Sequence, residues 1–221
     1  METHQLTEEQ LENALCEVRK AHRLIYEYQR RMQDLSWFIK NKLGFPLYKG
    51  YKKFSNPISR NNISYDMWAW DFIYSYVFNY FLGEQSDPEK HISWKLSVIQ
   101  ISDTGHFKNI DKGSTRTNTS SYALPEESES RLLFYLTVIP ESEALRELID
   151  TNTIVDAYAN SGDFGKVFST VIEDRQQSGN KQVVYSVPIS KFIDEESTIQ
   201  VLRDFVMYCN DNVGTSLKIQ E

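Results

Sequence analysis

Between residues 11 and 39 the apolar side chains recur at an unbroken three-four spacing: Leu11, Ala14, Val18, Ala21, Ile25, Tyr28, Met32, Leu35 and Ile39. That spacing traces one stripe along an α-helix. Thr7 followed by Gln10 has the form of a capping box, and Glu8 and Glu9 fall in the first turn, where the helix dipole favours negative charge. Gly44 and Pro46 supply the stop. The reading is a helix of about 36 residues, roughly 54 Å long at 1.5 Å per residue, carrying a coiled-coil-like heptad pattern. A rod of that length exceeds what one domain usually needs, which leaves the stripe two destinations. It can pack on a partner helix, with Leu11, Val18, Ile25, Met32 and Ile39 as an oligomer interface. Or it can lie across its own domain, with Ala14 and Ala21 allowing close approach. The leading expectation is the interface.

After the stop, residues 45–63 read as irregular, with Gly50 and Asn56-Pro57 as punctuation. Residues 66–82 carry two signals at once. Trp68, Trp70, Phe72, Tyr74, Tyr76, Phe78 and Tyr80 alternate like a strand, while Asp71, Ser75 and Asn79 lie four apart like a helical stripe. A strand of that whole length would be unusual. The expectation is therefore a largely buried helix, with Ser64 as N-cap and Gly83 as its left-handed stop. Residues 93–102, 131–139 and 182–188 read as strands. Helices are expected at 141–150, 152–160, 164–175 and 197–211, the last with Ile199, Leu202, Phe205, Val206 and Cys209 on one face. The polar stretch from Asp103 to Ser130 reads as a solvated hairpin connection or a functional flap. The result is an α+β chain: a long N-terminal helix over residues 1–44, then a domain over 45–221 with a small, mainly antiparallel sheet of about three strands covered by helices.

Composition adds compartment and excludes several classes. A 40% hydrophobic content with 29 Phe, Tyr and Trp residues is ample for a core. Two cysteines, Cys16 and Cys209, are too few for a disulfide framework or a structural zinc site. Met1 to Glu17 holds five acidic residues and no basic one, the opposite of a signal peptide's start, and the apolar run 67–82 is interrupted by Asp71, Ser75 and Asn79. These features give the expectation of a cytoplasmic protein with no membrane association.

Catalytic patterns are weak. The histidines at 4, 22, 91 and 106 lack the close spacing that converges on a metal, Gly162-Asp163-Phe164-Gly165-Lys166 is too short for a Walker loop, and no G-x-S-x-G pentapeptide occurs. Ser93-Trp94-Lys95 puts a serine where restriction-type nucleases place an acid. Asp66, Asp71, Glu84, Glu89 and Asp103 are the carboxylates a metal-dependent nuclease would have to gather. Neither a catalytic residue, a metal site nor a cofactor is assigned.

Charge is the remaining signal. The chain carries a formal −7, yet from Leu35 to Tyr65 there is no acidic residue, and aromatics interleave with Lys40, Lys42, Lys49, Lys52, Lys53 and Arg60. Lysine and arginine neutralise phosphates and aromatic faces stack on unpaired bases, so this segment has the composition of a nucleic-acid contact. It equally has that of a protein contact, or of a loop docked by its aromatics with its lysines in solvent. The leading expectation is a non-enzymatic interaction protein that assembles through its N-terminal helix, as a homo-oligomer or within a larger complex. The alternative is a nucleic-acid-binding module or diverged metal-dependent nuclease that uses residues 35–65.

Overall fold

The structure is a computed structural model that describes residues 7–53, 76–114, 118–140, 168–171 and 180–221. The chain divides into two compact units, Met1–Phe38 and Ile39–Glu221.

Over its described residues the first unit is helix. α1 runs from Glu8 to Lys42, 35 residues, so the expected helix is present at nearly the expected length. Its start is the capping box read from the sequence: the Gln10 backbone N–H donates to Thr7 Oγ1 at 3.2 Å, and the Thr7 N–H donates to Gln10 Oε1 at 2.9 Å. Two of the four otherwise unpaired amides of a helix start are thereby satisfied.

The second unit is built on a six-stranded sheet in the order β1-β2-β3-β4-β6-β5, antiparallel at every pairing. The strands are β1 (Lys49–Lys53), β2 (Val77–Asp87), β3 (Ile92–Ile101), β4 (Arg131–Pro140), β5 (Phe168–Val171) and β6 (Lys181–Pro188). The α+β class stands, and the sheet is twice the expected width. Between β3 and β4 lie the single turn α2 (Gly105–Lys108) and three 3₁₀ turns, and α3 (Glu195–Val213) follows β6.

β4 explains the layering. Nine of its ten residues are buried, so both of its faces are covered, as the near-continuous run Leu132-Leu133-Phe134-Tyr135-Leu136 requires. On one face the Phe134 ring meets Phe205 of α3 at 4.8 Å between centroids, with Phe192 and Tyr185 around it at 6.4 Å. On the other, Leu133 and Tyr135 join Tyr76, Val77, Ile99, Ile101, Phe107 and Val184, with Ile110 and Tyr122 against them. The β3–β4 connection therefore folds back as part of the core, and the expected solvated hairpin connection is corrected on that point.

Three further expectations are corrected. Of that predicted helix Tyr76 is a bend and 77–82 is strand; 66–75 lie outside the described residues. The alternation was the true signal there. Gly83, read as a helix stop, is instead the site of a β-bulge that lets β2 continue to Asp87. Its φ of +110° favours glycine, and an added Cβ would also press on the Leu47 side chain at 3.1 Å. Within 45–63, Lys49–Lys53 is the edge strand β1. Within 164–175, Phe168–Val171 is the opposite edge strand β5, formed by pairing with β6, a partner that no local periodicity could reveal. Helices 141–150 and 152–160 lie outside the described residues.

α3 matches its prediction and carries the cleanest cap. The Ser197 N–H donates to Asp194 Oδ1 at 2.8 Å, the Asp194 N–H donates to Ser197 Oγ at 3.0 Å, and Gly214 closes the far end at φ +78°. The Ser197 hydroxyl and amide hold the Asp194 carboxyl below the usual carboxylate range. A carboxylate whose pKa falls on folding contributes stability above its unfolded pKa and loses it as pH falls through the folded one. Asp194→Ala is therefore expected to lower the urea midpoint at pH 7, with wild type and variant converging as pH drops below the ordinary carboxylate range; parallel midpoints across the whole pH series would remove the cap from the stability account.

After α3, the Asn210 side chain accepts from the Leu217 amide and the Thr215 hydroxyl, and the Gln220 amide donates to the Lys42 carbonyl at 2.7 Å. The last residues are thus tied to the end of α1.

Candidate interaction surface

The apolar stripe of α1 splits in two. Met32 and Ile39, placed in the expected oligomer interface by their spacing, are buried at 1% and 0% exposure. Leu11, Val18 and Ile25 are 49%, 51% and 42% exposed. From Thr7 to Glu27 every residue is exposed except the half-buried Cys16, so the stripe there is uncovered along its length. Leu15, Leu24 and Tyr26 add further exposed apolar surface. Single exposed leucines are ordinary, but a contiguous row along one helix is not.

Charge along this segment is ordered. Residues 8–17 hold Glu8, Glu9, Glu12 and Glu17 and no basic residue, whereas residues 18–31 hold Arg19, Lys20, Arg23, Arg30 and Arg31 against Glu27 alone. Arg19 pairs with Glu12 and Lys20 with Glu17, both at 2.7 Å. These pairs are well exposed and contribute little to stability.

The basic set is spread over separate elements. Lys40 and Lys42 sit in the last turn of α1, where cations suit the helix dipole, and Lys42 pairs with Glu195 at 3.9 Å. Lys49, Lys52 and Lys53 lie on β1. Arg60 lies outside the described residues. Of the nuclease carboxylates, Asp66 and Asp71 also lie outside them. Glu84 faces Lys95 across the β2–β3 pair at 3.7 Å, and Asp103 Oδ1 accepts from the Gly105 amide at 2.7 Å. No group of three His, Cys, Asp or Glu side chains placed to hold a metal occurs among the described residues. Cys209 is buried, and burial pushes its thiol up, away from the thiolate a nucleophile needs.

The sequence reading missed one polar cluster. His106, buried in the β3–β4 connection, lies within 3.0 Å of Ser114 Oγ through Nδ1, and Ser114 Oγ lies 3.3 Å from Ser121 Oγ. The imidazole is flanked by Phe107 and Tyr122, each at 5.3 Å. Asn109 donates to the Ser121 carbonyl, and Ala123 to that of Gly105. The cluster thus laces the two halves of the connection together. The serines stand eight and fifteen positions after the histidine, so periodicity gave no signal for it.

No helix among the described residues is long and apolar enough to cross a membrane. Comparison with curated proteins and with solved structures returns no match. The PM0109 family matches residues 8–214, from the first residue of α1 to the glycine that closes α3, so both units are included and the chain belongs to that family.

Proposed function

We propose that this chain is a non-catalytic assembly protein that associates through the N-terminal part of α1, as a homo-oligomer or within a larger complex. One observation carries the reading: Leu11, Val18 and Ile25 form an exposed apolar row on a stretch of helix, Glu8 to Glu27, in which every residue but the half-buried Cys16 is exposed. Leaving that row in water forgoes roughly 25 cal/mol for each Å² of apolar surface a partner could cover. Packing of an apolar face, more than intrinsic propensity, is the usual source of a helix's stability in proteins.

The test is the double variant Val18→Asp/Ile25→Asp, examined by light scattering beside the wild type. The wild type is expected above the 25.9 kDa of a single chain and the variant at it, with the second unit still folded by near-UV circular dichroism. An oligomer whose mass is unchanged by the two aspartates would overturn the reading.

A further inference from the structure

We draw no further inference here: the strongest candidate, the exposed apolar row of Leu11, Val18 and Ile25 on the N-terminal part of α1, belongs to the surface already described, and nothing in the structure shows what covers it.

Discussion

Phe134→Ala is expected to cost about 3–5 kcal/mol of folding stability, the largest single loss anticipated in this chain. Phe134 is fully buried in the middle of β4, and the removed ring contacts three other rings, those of Phe205, Phe192 and Tyr185. Strands β3 and β6 fix the backbone on both sides of it, pairing Phe134 with Val98 and Tyr185, so the site has little room to collapse around the void. The penalty therefore includes the cavity as well as the lost transfer energy. Phe134→Leu keeps most of the volume and is expected to cost less than half as much. Urea unfolding at constant m measures both. Because α3 packs through Phe205, the double variant Phe134→Ala/Phe205→Ala is expected to cost measurably less than the two single losses combined, the shared contact being lost only once. Strict additivity would mean that the two rings do not support each other.

Arg131→Ala is expected to cost about 2–4 kcal/mol by the same assay. Arg131 begins β4, and its side chain is only 6% exposed. Its Nε donates to Ser186 Oγ at 2.8 Å, and its Nη1 pairs with Glu129, which is half exposed. Truncation removes the packed stem as well as the charge. Replacing the same residue by Met fills the space without burying an ion, so Arg131→Met is expected to recover more than half of the loss. Glu129→Gln, which leaves the guanidinium its Ser186 bond, is expected to fall between wild type and Arg131→Ala. Equal losses for Arg131→Met and Arg131→Ala would show that the ion pair, and not the packing of the stem, carries the effect.

How much of this was legible beforehand depends on where each signal lives. α1 and α3 were readable because a helix is written locally: the three-four stripe of each, and for α1 the Thr7 and Gln10 cap and the stop at Gly44, all fall within a few residues of what they control. Strands β3, β4 and β6 were readable for a related reason. Each is a run of β-branched, aromatic and leucine residues whose burial follows from composition, whichever strand lies beside it. The uncovered row on α1 was half legible. Spacing identified Leu11, Val18 and Ile25 as an apolar stripe, but the same spacing ran on through Met32 and Ile39, which are buried.

What the sequence by itself determined is therefore the set of segments with strong local periodicity, the α+β class, and the apolar and charge order of the N-terminal helix. Tertiary structure alone decided the rest. β1 and β5 are strands because β2 and β6 are there for them to pair with, and Val77 to Leu82 is strand because it pairs with β3, the bulge at Gly83 letting that pairing run on to Asp87. His106 meets Ser114 and Ser121 because the β3–β4 connection folds onto the core. Hydrogen bonds between strands and contacts across a loop join residues far apart in the chain, so no local pattern records them.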